Sequence, residues 1–193
     1  GVENFDAYGT GNGKYPTCYI VGNKADGATV AFIPSCQTTW KKSGGASLKL
    51  QSSTKYNGAY AITPRLDISD IAMLRVKFWA SAHTYTSSTY AHSLVVGVVT
   101  DPTALETFVP VDTLNLAKEG RPFEVYFDKY KGDLDENKGK YVMFLSEFDL
   151  NNYAFIDDVQ FDTIPTCVSR VEVDNVTSNS ISVSIKGGNA PHQ

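Results

Sequence analysis

The sequence predicts an all-β protein: a jelly-roll β-sandwich followed by a short β-hairpin. Helical periodicity is nearly absent, and the apolar residues instead alternate with polar ones or form short blocks bounded by Gly, Pro, Asn, Asp and Ser. The blocks are about five residues long and recur at spacings of about 10–15 residues, as in sandwiches and jelly rolls. The 11 Tyr and 10 Phe residues suit half-buried pleated surfaces.

Ten predicted strands follow from these blocks, each lying between turn residues. The first five are Cys18–Val21, Ala28–Ile33, Ser47–Gln51, Gly58–Ile62 and Met73–Ala80. The second five are Ser93–Val99, Phe108–Thr113, Phe123–Phe127, Lys140–Glu147 and Ala154–Phe161. A single helical turn is expected between Leu116 and Gly120.

The strand pattern is interrupted after Ile164 by Pro165, which predicts a boundary between a domain over residues 1–164 and a segment over 165–193. The segment reads as two alternating strands joined by the polar turn Asn175–Ser180. Two strands alone are marginal in water, so the segment is interpreted as the opening hairpin of a second sandwich. The abrupt start at Gly1 indicates a mature or trimmed fragment.

Charge and hydropathy exclude several partners. The net charge is −4 and the pI is about 5.3, which argues against nucleic acid and against an electrostatic membrane anchor. No apolar run approaches the roughly 18 residues that span a bilayer, so no membrane insertion is expected.

Three cysteines, Cys18, Cys36 and Cys167, form no CxxC pair, so a zinc site is not expected. Cys18 and Cys36 could pair if the chain is exported, which would leave Cys167 free. The alternative is three reduced and mostly buried thiols.

No catalytic constellation stands out, and the chain is expected not to be an enzyme. A serine hydrolase needs a nucleophile elbow of the GxSxG type, and none occurs. The three histidines, His83, His92 and His192, have no partners at metal-ligand spacing.

Aromatic and polar side chains gather between residues 83 and 92. Sugar recognition uses flat aromatic faces with hydrogen-bonding neighbours, and loops at the edge of a sandwich often carry function. The candidate ligand-binding residues are His83, Tyr85, Tyr90, His92 and Trp40. Aromatic residues at strand spacing are more often core than binding platform, so Trp79, which alternates with Phe78, is a weaker candidate.

Several fragments together resemble a jelly-roll family of secreted and surface proteins of Bacteroidetes, namely cleaved-adhesin and MAM-like domains. More distantly, they resemble carbohydrate-binding modules of galactose-binding-like fold. The fragments are Glu3–Asp6, Tyr15–Cys18, Ser43–Leu50, Ala61–Asp67, Val96–Pro102, Glu106–Val111 and Phe155–Val159. The tail from Pro165 resembles the first two strands of a fibronectin type III domain, although it lacks the Trp common in the second strand.

The resemblance implies a non-catalytic binding module, secreted or at the cell surface, in a larger multidomain chain and itself monomeric. Its expected partner is a carbohydrate or a host or matrix surface protein. The alternative is a structural or protein–protein interaction spacer that binds no glycan.

The resemblance also implies one structural Ca²⁺, held by Asp6, Asp157 and Asp158 with carbonyls of the Ser43–Gly45 turn. Asp157 is expected to share an apolar face with Phe155, Val159 and Phe161, where a bare charge is costly. The alternative is that Asp157 caps a turn or pairs with a lysine.

Overall fold

A computed structural model describes residues 1–24, 34–52, 58–84, 92–132, 140–147, 152–165 and 170–186. The chain divides into two compact units, Gly1–Asp162 and Thr163–Gln193. The strands of the first unit are β1 (Val2–Glu3), β2 (Ile20–Asn23), β3 (Ser35–Gln37), β4 (Ser47–Ser52), β5 (Ala59–Ile62), β6 (Leu74–Thr84), β7 (His92–Val99), β8 (Phe108–Leu116), β9 (Arg121–Tyr126), β10 (Tyr141–Ser146) and β11 (Asn152–Thr163). Short 3-10 turns cover Asp6–Tyr8, Ile71–Met73, Leu105–Thr107 and Phe127–Lys129.

These strands form two sheets. The first sheet has the order β3-β4-β11-β6-β9, with β1 also paired to β11, and the second has the order β2-β5-β10-β7-β8. The four-strand orders β4-β11-β6-β9 and β5-β10-β7-β8 are those of a jelly roll with two Greek keys. The predicted fold class is therefore confirmed.

The core lies between the sheets and follows from strand alternation. On β6, Val76, Phe78 and Ala80 are buried, and their neighbours on β4 and β10, such as Leu48 and Phe144, are fully buried. Burying each such large side chain contributes roughly 1.5–3 kcal/mol. The residues of opposite parity on β6 therefore face away from the core, on the outer face of the first sheet.

The central strand β11 changes its partner strand partway along its length. Its first half pairs with β4, ending at Ile156 opposite Leu48, and its second half pairs with β1, where Val159 lies opposite Glu3. Between these halves Asp158 adopts a left-handed backbone with φ 50°. The irregularity turns Val159 into the core. The prediction that Asp157 and Val159 share one face of the strand is therefore wrong.

Most of the predicted strands occur, with shifted ends. Ala28–Ile33 lies outside the described residues, and β1 and β3 were not predicted because they are too short to show a period. The helical turn expected between Leu116 and Gly120 is wrong. Ala117–Gly120 is a tight turn, in which the Gly120 N–H donates to the Ala117 carbonyl at 3.3 Å.

The two described cysteines are free thiols: Cys18 is exposed and Cys36 is buried. Burial raises the pKa of the Cys36 thiol to about 11, so this thiol stays protonated at neutral pH. Cys167 lies outside the described residues.

The second unit contains a two-stranded antiparallel hairpin of β12 (Arg170–Val176) and β13 (Ile181–Lys186). Its turn is closed by the Thr177 N–H, which donates to the Ser180 carbonyl at 2.8 Å. Among the residues described in either unit, none lies in a helix long and apolar enough to cross a bilayer.

Candidate binding site

The outer face of the first sheet carries a groove of about 580 Å³. Its lining includes Lys42, Lys77, Trp79, Gly120, Pro122, Glu124 and Asp158. We refer to it as the Trp79 groove. Strand β6 supplies Trp79 and Lys77, and β9 supplies Pro122 and Glu124 directly opposite them in the ladder.

Trp79 forms the apolar part of the groove because of its neighbour Gly120. Gly120 has φ 63°, and a Cβ atom there would overlap the indole ring. Glycine is therefore required at this position for two reasons: the backbone is left-handed, and the indole ring approaches the backbone closely. The indole ring lies against the backbone of the β8–β9 turn.

Two charged side chains of the groove are held by ion pairs. Lys77 Nζ lies 3.0 Å from Asp162 Oδ2. Glu124 Oε2 lies 3.3 Å from Arg75 and accepts a 2.7 Å bond from the Tyr126 hydroxyl. These contacts hold polar groups around the apolar ring, which is how small-molecule sites combine contact area with orientation.

Next to the groove lies a second set of aromatic side chains, which we call the aromatic strip: Trp40, His83, Tyr153 and Phe155. Trp40 stacks on His83 with ring centroids 4.7 Å apart, and His83 stacks on Tyr153 at 6.2 Å. Phe155 is buried beneath Trp40 at 6.5 Å. The other three rings are partly exposed.

Two lysines lie over this strip. Lys118 Nζ is 5.9 Å from the centre of the Trp40 ring, and Lys49 Nζ is 5.4 Å from that of Tyr153. Burial lowers the pKa of Lys49, whose nearest described hydrogen-bond partner is the neutral amide of Gln51 at 3.2 Å. An ammonium placed over a ring gains a modest cation–π attraction, of about 0.5–1 kcal/mol at exposed sites.

Trp40 has a strained backbone, with φ 54° in the left-handed region. For a residue with a side chain this conformation costs about 1–2 kcal/mol. The surrounding loop is held by the Ser47 hydroxyl, which donates to the Thr39 carbonyl at 3.0 Å, and by Lys41, which donates to the Gly44 carbonyl at 2.7 Å. Strain of this kind is found where a side chain must be displayed in a fixed position.

The turn after Trp40 is held by three aspartates, which we call the aspartate clasp: Asp6, Asp157 and Asp158. Asp6 Oδ1 accepts the N–H groups of Gly45 at 2.5 Å and Ala46 at 2.8 Å. Gly44 has φ 55°, and a Cβ atom at this glycine would overlap the Asp6 carboxylate.

At the other end of the turn, Asp157 Oδ2 accepts the N–H groups of Lys42 at 2.8 Å and Ser43 at 3.0 Å. Its Oδ1 accepts the N–H of Asp158 at 2.8 Å, and Asp158 accepts the Ser43 hydroxyl at 2.6 Å. Burial raises the pKa of Asp157 and is the largest effect. Its three N–H donors lower the pKa by less, and the neighbouring Asp158 charge adds a small increase. The clasp thus fixes the turn that carries Lys42 into the Trp79 groove.

Calcium needs six to eight oxygen ligands. The turn instead presents N–H groups to Asp6 and Asp157. In the part of the chain that the structure describes, no three His, Cys, Asp or Glu side chains are grouped to hold a metal ion. In the described arrangement, backbone N–H groups already compensate the Asp6 and Asp157 carboxylates.

The predicted ligand-binding residues do not all lie together. The structure brings Trp40 and His83 together, whereas His92 is buried on β7 of the other sheet. Burial, and then the nearby His83, lower the pKa of His92. Tyr85 and Tyr90 lie outside the described residues.

The structure also places Trp79 and Tyr153 on the outer face, where sequence reasoning assigned Trp79 less weight than the loop tyrosines and did not identify Tyr153. A parity argument could have found Trp79, because Val76, Phe78 and Ala80 share one face and Trp79 must then lie on the other. Tyr153 had no such signal, since its neighbours on β6 are set by long-range pairing.

No protein-family model matches the chain, and a search of curated proteins finds no relative. Solved structures do match. The K3 cleaved adhesin domain of Lys-gingipain from Porphyromonas gingivalis superposes with a TM-score of 0.59 at 14% identity, covering 83% of this chain and 97% of that chain. For the K1 domain the TM-score is 0.58 at 15% identity, with coverage of 85% and 98%.

The family 11 carbohydrate-binding module of the cellulase Lic26A-Cel5E of Clostridium thermocellum matches with a TM-score of 0.50 at 10% identity. It covers 85% of this chain and 95% of that module. At such low identity, a structural likeness reports on fold only. The chain therefore shares the β-sandwich fold of the cleaved adhesin domains and of carbohydrate-binding modules.

Proposed function

We propose that this chain is a non-catalytic carbohydrate-binding module of a secreted or cell-surface protein. The observation that carries the proposal is the Trp79 groove, in which one indole ring is surrounded by fixed polar groups. Pyranose rings have C–H faces edged by hydroxyl groups, and this combination of an aromatic plane and hydrogen-bonding groups matches them. The fold likeness supports the proposal because adhesin and carbohydrate-binding domains both occur on it.

Substituting Trp79 tests the proposal. A glycan array would first identify a bound sugar class, and isothermal titration would then compare Trp79→Ala with the parent chain. We expect affinity to fall about tenfold or more, since a lost 1.4 kcal/mol is tenfold in affinity. Trp79→Phe should recover part of the loss.

The matched control is Ile20→Ala, which removes an exposed apolar side chain from the second sheet. It should leave the affinity unchanged. The proposal would be contradicted if no glycan bound, or if Trp79→Ala bound the sugar as tightly as the parent chain.

A spacer or protein-binding role is the second candidate, favoured by the hairpin of the second unit. Val173 and Val183 lie opposite each other on it, and together with Ile181 they are 55–66% exposed. An apolar strand face in water is typical of a surface that packs against protein. Binding to a purified matrix protein by surface plasmon resonance, with no glycan bound, would favour this role.

Calcium at Asp6, Asp157 and Asp158 stays a prediction. If it binds, a chelator should lower the melting temperature and added calcium should restore it, because metal binding to the folded state is linked to stability. An unchanged melting curve, with no calcium in the protein by elemental analysis, would leave the N–H bonds as the support of the turn.

A further inference from the structure

We propose that the ligand is an acidic polysaccharide, one whose sugars carry carboxylate or sulfate groups. This rests on the proposed function, and it adds the charge class of the sugar and the surface that reads it.

Neither Lys49 nor Lys118 forms an ion pair with any carboxylate among the described residues. Lys49 is half-buried, between Tyr153 and the Gln51 amide. Its lowered pKa reflects desolvation with no compensating anion. An anionic group brought to this position would stabilise the ammonium form.

Most of the described acidic groups on the same outer face already accept hydrogen bonds or form ion pairs. Asp157 accepts three backbone N–H groups and Asp158 accepts the Ser43 hydroxyl. Asp162 lies within 3.7 Å of Arg75 and 3.0 Å of Lys77, and Glu124 also contacts Arg75.

Two exposed lysines of this face are available to a ligand. Among the described residues, Lys42 at the groove and Lys118 over the strip are exposed without an ion pair. Glu119 at the groove is an exposed acidic side chain that also lacks one, and the exposed Asp6 of the clasp accepts two backbone N–H groups instead. The whole chain has a net charge of −4. A local cationic surface on an acidic protein selects anions through complementarity.

The geometry favours a polymer over a single terminal sugar. Trp79 and His83 lie four residues apart on β6, which corresponds to about 13 Å along the strand. The Trp79 groove and the aromatic strip thus lie along one face of the sheet, with aromatic rings and lysines in each.

The test compares polymers that differ only in charge. Polygalacturonate, alginate, hyaluronan and chondroitin sulfate are titrated against the full chain beside their methyl-esterified, carboxyl-reduced or desulfated forms, with neutral galactan, xylan and glucan as further probes. We expect at least one acidic polymer to bind about tenfold or more tightly than its neutralised form. We also expect that difference to shrink as salt is raised.

The variant Lys49→Gln/Lys118→Gln should lose this preference and bind the acidic and neutralised polymers alike. The matched control Lys14→Gln/Lys24→Gln removes the same charge; Lys14 lies in the N-terminal loop, and Lys24 is paired with Glu147 after β2. It should retain the preference. Melting curves establish that both variants are folded.

The outcomes separate the two proposals. Binding of neutral glycans only would overturn the acidic ligand and leave the proposed function standing. Binding of no glycan would overturn both. If single-stranded DNA bound as tightly as the acidic polysaccharides, the chain would attract any polyanion without specificity. That result would also overturn the inference.

Discussion

Asp157 shows how a single buried charge is stabilised in this molecule. Its side chain is 0% exposed, and both of its oxygens are occupied by backbone N–H groups. The sequence predicted that a carboxylate at this position must have a partner, which is confirmed. It could not name these partners, because two of the three donors, Ser43 and Lys42, lie 114 and 115 residues away along the chain.

Replacing this carboxylate should destabilise the fold. Asp157→Asn puts an NH2 group or a weaker acceptor against N–H donors, and we expect a loss of about 1–3 kcal/mol in the free energy of unfolding. Urea denaturation measures it. Asp158→Asn is the matched control, because Asn also tolerates the left-handed backbone and only the Ser43 bond is weakened. An equal loss in both variants would contradict the special role of Asp157.

The same residue predicts a pH dependence. Burial raises the pKa of Asp157 above its ordinary value of 3.8. A carboxyl with a raised folded-state pKa contributes stability that is present below 3.8 and is lost as the pH rises through the folded-state pKa. The stability deficit of Asp157→Asn should therefore be larger at about pH 4 than at pH 7. A deficit that shrinks on acidification would mean that the N–H donors outweigh burial.

At the scale of elements, the β8–β9 turn positions the ring that the groove depends on. The sequence predicted a helical turn here because Leu116–Gly120 has no strand period. The chain instead turns tightly, since β9 must pair with β6, a strand distant in the sequence. Pairing between distant strands is what local pattern cannot predict.

Gly120→Ala should displace the Trp79 ring. Gly13→Ala is a matched control, because Gly13 has φ 76° and no atom within 4 Å of its missing Cβ. Both variants carry a backbone cost of about 1 kcal/mol. We expect only Gly120→Ala to shift tryptophan fluorescence and weaken glycan binding. Identical spectra for the two variants would count against the described packing of Trp79.

At the scale of the whole molecule, the jelly roll and most of its strands were predictable. Hydrophobic periodicity reports which residues are buried, and burial is the dominant force in folding. The surface site was predictable only in part. Trp40 and His83 come from different loops and strands, and their stacking depends on a left-handed residue that no period reveals.

The first unit should fold and bind without the second. Every residue of the two hydrophobic clusters lies within Gly1–Asp162. A chain ending at residue 164 should therefore keep its melting temperature and its glycan affinity, as measured by calorimetry and titration. A fall in melting temperature of several degrees would show that the sandwich depends on residues 165–193.

The pairing of β1 with β11 has a mechanical consequence. Val2 lies opposite Gln160, so the sandwich is entered and left at neighbouring points. A force pulling these two ends apart loads the hydrogen bonds of β1 one after another, like a zipper. Because β1 has only two residues, it peels away under small loads. The tension then reaches Asp6, whose hydrogen bonds from the Gly45 and Ala46 N–H groups resist further opening of the turn that follows Trp40.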